Sequence, residues 1–127
     1  MEKTARILAA LSDPIRLRCL ALLAGKGELC VCELVQSLDM PQPKISRHLA
    51  VMRDAGLLRC RRDAQWVLYS LDPSLEPGLK AVLAAAVSAV AHGSQAKRDV
   101  ARLAKVSRPQ RVRTDGGRRQ KQAETTS

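Results

Sequence analysis

The chain has 127 residues, with 22 Lys plus Arg against 12 Asp plus Glu for a net charge of +10, and 46% of its residues are hydrophobic. That suits one small domain with a packed core and is too little for two. Trp66 and Tyr69 are the only aromatics, which disfavours base stacking on single-stranded nucleic acid, and the longest apolar stretch, residues 81–91, is shorter than the roughly 20 residues that cross a bilayer.

A first short helix is expected over residues 4–11, with Ile7, Leu8 and Leu11 on one side, too little apolar surface to stand alone. Asp13-Pro14 then reads as an N-cap followed by an N1 proline. It opens a helix with Ile15, Leu17, Cys19, Leu20, Leu22 and Leu23 as apolar residues, stopped by Gly25-Lys26-Gly27. A third helix is expected over 32–38, with Leu34, Val35 and Leu38 inward, ending at Asp39-Met40-Pro41. Residues 43–55 carry Ile45, Leu49 and Met52 as a narrow stripe before Gly56, which gives two short helices joined by a tight turn. Residues 57–62 and 65–71 read as a β-hairpin about Asp63-Ala64. Ser74 is expected to cap a long helix with Pro77 in its first turn and Leu75, Leu79, Val82, Leu83, Ala86 and Val90 as its stripe. Residues 107–127, net +4, hold little apolar content and are expected to form a basic, disordered tail behind a domain at 1–106.

Too few apolar residues follow Lys3 and Arg6 for a secretory leader, so a cytoplasmic location is expected, without a membrane partner. The four cysteines are then thiols, serving as core filler, metal ligands or redox groups rather than disulfides. Asp13 and Glu33 are explained as a cap and as first-turn dipole compensation, so the acidic residues form no catalytic pair. HExxH, GxGxxG, P-loop and Gly-x-Ser-x-Gly patterns are all absent, and no enzyme is expected.

The fold expected from this order is mainly α with a small hairpin, a winged helix-turn-helix. Its second turn helix enters the DNA major groove and its hairpin touches the flanking backbone. The strings DPIRLRCLALL, ELCVCEL, PQPKISRHLAVMRDAGLL and RRDAQWVLYSL, in that order across residues 5–92, resemble the ArsR/SmtB family of metal-responsive winged-helix repressors. ELCVCEL is closest to the arsenite-responsive branch. The resemblance implies a homodimer formed through the terminal helices, a palindromic double-stranded operator and no cofactor for DNA binding. As(III) or Sb(III) would be the inducer.

Arg47 projects away from the Ile45-Leu49-Met52 stripe and can make a bidentate contact to guanine, the alternative being a solvated surface charge. Gln42, Lys44 and Ser46 can reach phosphates or base edges. His48 is balanced between half-buried packing and a DNA contact. On the hairpin, Arg59, Arg61, Arg62 and Gln65 surround the tip, where a wing meets phosphates; a charged, solvated edge is the plainer reading.

Cys30 and Cys32 can bind one thiophilic ion, although small buried groups are the commonest fate of free Cys. Positions i and i+2 of a helix differ by about 200°, so sharing an ion requires the start of the third helix to be non-helical, and binding is expected to unwind or reorient it. Arsenite sensors of this type often carry another Cys three residues on, where this chain has Val35. A third ligand could be Cys19, Cys60, water or none. The family's other site type, with Asp and His along the last helix, finds only Glu76 and His92 here. The rival readings are a dithiol redox protein or redox-sensing repressor at Cys30 and Cys32, and a nonspecific basic nucleic-acid binder.

Overall fold

The computed structural model describes residues 1–106, so the expected tail at 107–127 lies outside the described residues. The elements are α1 (Glu2–Leu11), α2 (Pro14–Lys26), β1 (Leu29–Cys30), α3 (Val31–Leu38), α4 (Gln42–Asp54), β2 (Leu58–Asp63), β3 (Trp66–Leu71), α5 (Pro77–Ala91) and α6 (Ser94–Lys105). The strands form one antiparallel sheet in the order β1-β3-β2. No helix among the described residues is long and apolar enough to cross a membrane.

Local chemistry sets the boundaries. Asp13 Oδ1 accepts the backbone N–H groups of Ile15 at 2.8 Å and Arg16 at 3.2 Å, two donors the first turn of α2 cannot satisfy internally. Burial alone would raise the Asp13 carboxyl, but those bonds together with the charges of His48 and Arg16 outweigh it and hold the group below its usual value. Gly56, at φ 90, lets the chain leave α4 for β2 in the left-handed region. The core gathers Ile7 from α1, Leu20 and Leu23 from α2, Leu34 and Leu38 from α3, Ile45, Leu49 and Met52 from α4, and Leu79 and Leu83 from α5. The helix-turn-helix is thus seated on the other helices by the stripe its sequence displays.

Several elements differ from expectation. β1 is too short to show period-two patterning, and it exists because β3 offers a free edge, pairing Leu29 with Tyr69 and Cys30 with Leu68. The hairpin tip lies at Ala64 and Gln65, since Asp63 pairs with Trp66. Ser74 does not cap α5; its N–H and hydroxyl both bond Asp72 Oδ1, at 2.9 and 2.8 Å, and Glu76 precedes the helix instead. Along α5 the buried line is Leu79 and Leu83, continued by Leu75 just ahead of the helix, with Val82 left 42% exposed. α6 has no counterpart among the expected elements; Leu103 is its one buried apolar residue, with Asp99 buried beside it.

Candidate DNA interface and thiol site

Pro41 and Pro43 flank the start of α4, where Gln42, Lys44, Ser46 and Arg47 are all exposed, Arg47 opposite the Ile45, Leu49 and Met52 stripe and Lys44 and Ser46 on its two flanks. His48 does not join them fully. Its ring is half-buried, with Nδ1 4.0 Å from Asp13 Oδ1, so it leans on the cap of α2. Partial burial holds the imidazole below its ordinary value against the pull of Asp13, with Arg16, Arg47 and Lys44 acting in the same direction as burial.

On the hairpin, Arg59, Arg62 and Gln65 are exposed. Arg61 is exposed too, but its guanidinium is engaged by Glu28, with Nε–Oε2 at 2.6 Å and Nη2–Oε1 at 2.8 Å. That hydrogen-bonded pairing raises the Arg61 guanidinium. No local pattern in the sequence marks Glu28 as this partner, which lies 33 residues away.

The two thiols meet at the start of α3. Cys30 is the N-cap, with φ −87 and ψ 165, and so stands outside the helix, while Cys32 lies in its first turn. The non-helical start that a shared ion requires is already present. Cys30 and Glu33 form a reciprocal capping box: the Cys30 N–H donates to Glu33 Oε1 at 2.9 Å, and the Glu33 backbone N–H donates to the Cys30 sulfur. Glu33 is therefore more than dipole compensation. Hydrogen bonding to the Cys32 thiol, followed by burial, pushes the Cys30 thiol well above its ordinary value. Trp66 and Leu68 pack around Cys30, with Cys32 against the same cluster.

The other cysteines stand apart. Cys19 is fully buried in the main core, and burial pushes it up to about 12. Cys60 pairs across the hairpin with Tyr69, whereas Cys30 pairs with Leu68, so alternation places Cys60 on the opposite face of the sheet. Among the described residues no group of three His, Cys, Asp or Glu is arranged to hold a metal. Two soft sulfurs beside Trp66 and Leu68 suit a thiophilic ion held by sulfur, while the neighbouring Glu33 carboxylate is engaged by the Cys30 N–H.

Residues 13–59 match the family described as "Bacterial regulatory protein, arsR family". The chain is 48% identical over 83 residues to the arsenic resistance transcriptional regulator ArsR1 of Pseudomonas putida, a stretch covering 65% of each chain. It thus spans slightly less than two thirds of that relative's length, and 60% of the Escherichia coli arsenical resistance operon repressor. Among solved structures, HlyU from Vibrio cholerae superposes with a TM-score of 0.62 at 32% identity, covering 72% of this chain and 95% of HlyU. The AntR antimony-specific transcriptional repressor superposes at 0.55 with 26% identity, covering 66% of this chain and 73% of AntR. The helix-turn-helix, the hairpin beside it and these likenesses together place the chain in the ArsR family of bacterial regulatory proteins.

Proposed function

We propose that this chain is an arsenite- or antimonite-responsive transcriptional repressor, not an enzyme, that binds a palindromic operator as a homodimer and releases it when Cys30 and Cys32 capture the trivalent metalloid. The observation that carries this reading is the pairing of the two thiols at the start of α3, one helix ahead of an exposed α4. The names of ArsR1 and AntR, which concern arsenic and antimony, support the same ligand class.

In this reading Gln42, Lys44, Ser46 and Arg47 contact DNA from α4, while Arg62 and Gln65 meet the backbone from the hairpin. His48 orients α4 against Asp13 as much as it contacts DNA. Cys30 and Cys32 supply both protein sulfurs, and no cofactor is needed for DNA binding. Capture replaces the hydrogen bond between the thiols and disturbs their packing on Trp66, at the point where α3 begins. Because α3 runs into α4 through Asp39-Met40-Pro41, a shift there reaches the DNA-facing helix. A second copy would cover the exposed Leu8 of α1 and Val82 of α5.

The test is sequence-selective DNA binding titrated in parallel with arsenite, zinc and an oxidant. Release by arsenite alone supports the reading. Release by oxidant alone favours a redox-sensing repressor at the same dithiol, and indifference to DNA sequence favours a nonspecific basic binder.

A further inference from the structure

Asp99 of α6 is 1% exposed and fully engaged. Arg18 of α2 grips it with Nε–Oδ2 and Nη2–Oδ1 both at 2.9 Å, Gln95 Nε2 donates to Oδ1 at 3.0 Å, and Arg102 Nη2 donates to Oδ1 at 3.2 Å. Each guanidinium then uses another N–H on the end of α3. Arg18 Nη2 donates to the Leu38 carbonyl at 3.1 Å, and Arg102 Nε donates to the Ser37 carbonyl at 2.8 Å.

A helix leaves its last carbonyls without internal partners. Asp39, in the left-handed region at φ 55, closes α3 by turning its own N–H and that of Met40 onto the Val35 carbonyl. The Ser37 and Leu38 carbonyls are taken by the two arginines. These are the last two residues before the turn into α4, and α6 packs chiefly against α3. Burying an ion pair adds little stability over apolar packing, whereas a planar guanidinium held by a carboxylate fixes the direction of its remaining donors. Direction is what the start of a DNA-reading helix needs.

We propose that Asp99 is a positioning residue for DNA recognition: through Arg18 and Arg102 it fixes the end of α3 and so the angle at which α4 is presented. This rests on the reading of α4 as the DNA-contacting helix. It makes α6, which lies beyond the stretch matching the family, part of the DNA-binding unit.

The experiment uses the full chain and two probes: duplexes selected from a random pool by the unaltered protein, and an arbitrary duplex of equal length. Arg102→Met keeps the side-chain stem and the Arg18–Asp99 pair but removes the donor to Ser37. It should weaken binding to the selected duplexes by about tenfold, the size of losing one base contact, while leaving the arbitrary duplex nearly unchanged. Arg102→Lys, which restores a cationic donor, should recover part of the loss. Arg98→Met on the same helix removes equal charge from a side chain bonded to Gln95 and should leave the ratio between probes unaltered. Asp99→Asn should reproduce the loss of selectivity if it folds; if it does not, Arg102→Met still decides. Trp66 fluorescence during arsenite titration should be the same in Arg102→Met as in the unaltered protein, since the thiol site is left intact. Equal weakening on both probes, or none, overturns the proposal. If the unaltered protein selects no duplexes, the repressor reading itself fails and takes this inference with it.

Discussion

Arg61 and Glu28 close a doubly bonded ion pair that ties the hairpin to the residue two positions ahead of Cys30. Arg61 pairs across the sheet with Leu68, whose other neighbour is Cys30, so hairpin and thiol site share a row of the sheet. Arg61 is thereby set apart from its neighbour Arg62. Arg62→Ala should lower the salt slope of DNA binding by about one unit, the mark of one phosphate contact. Arg61→Ala should lower it less, because its charge is already matched. Exposed pairs contribute only about 0.2–1 kcal/mol, so Glu28→Gln should release Arg61 and tighten binding to any duplex. Equal slopes for both arginine variants would show that Arg61 leaves Glu28 on DNA.

Arg47 tests the base-reading role of α4. Arg47→Ala should weaken binding to a selected duplex by about 1–3 kcal/mol and relax base preference, with little change on arbitrary DNA. An equal loss on both would make Arg47 a phosphate contact.

The sequence announces the elements that carry strong local patterns. Asp13-Pro14 and Gly56 mark real helix ends, and Ile45, Leu49 and Met52 point α4 correctly, which exposes Arg47 on the other side. β1 is hidden because two residues cannot show strand alternation, and α6 because its inward face is largely polar, with Asp99 buried beside Leu103. A trace of α6 was present in Gln95, Asp99 and Arg102, spaced for one helical face, with Asp99 acidic among Lys97, Arg98 and Lys105. In the site, the pairing of Cys30 with Cys32 is local and legible. The Arg61–Glu28 pair is not, since no local rule matches one exposed charge to another so far away in the chain.

Ala64 gives a stability prediction. It holds φ 58 in the two-residue hairpin turn, a region in which an L-residue with a side chain is strained by roughly 1–2 kcal/mol. Ala64→Gly should raise the thermal midpoint despite glycine's greater freedom in the unfolded chain. A lower midpoint would mean the turn carries no strain.

The raised Cys30 thiol has a consequence for pH. Its hydrogen bond to Cys32 and its burial keep the proton on sulfur at neutral pH. Arsenous acid condenses with a protonated thiol by exchanging As–O and S–H bonds for an As–S bond and water, so no proton is released. A divalent cation must instead displace the proton. Arsenite affinity should therefore stay nearly flat between about pH 6 and pH 8, while cadmium affinity rises about tenfold per unit for each thiol proton displaced. Arsenite binding that weakens steadily over this range would mean the thiols are already ionised. Cys19, pushed up to about 12, has a stability consequence of related sign: the folded state holds its proton more tightly than the unfolded chain. Stability should therefore fall as pH rises from 9.0 towards 12.

Replacing either Cys30 or Cys32 by Ser tests the link between ligand and DNA. Ser is a favoured N-cap, so Cys30→Ser should preserve the start of α3, and either variant should remain folded and hold its selected duplex. Neither should release it on adding arsenite, because a hydroxyl cannot supply the soft sulfur that the metalloid requires. The arsenite-induced change in Trp66 fluorescence should disappear with the response, since Trp66 packs on the same cluster. In the unaltered protein, arsenite affinity must fall on the DNA complex by the same factor as DNA affinity falls on arsenite binding, a coupling on the order of 1–3 kcal/mol. Cys60→Ala and Cys19→Ala should leave that factor intact, because one thiol faces the other side of the sheet and the other lies in the main core. If Cys30→Ser combined with Cys32→Ser still releases DNA at unchanged arsenite concentration, sensing lies elsewhere in the chain and the assignment of this dithiol falls.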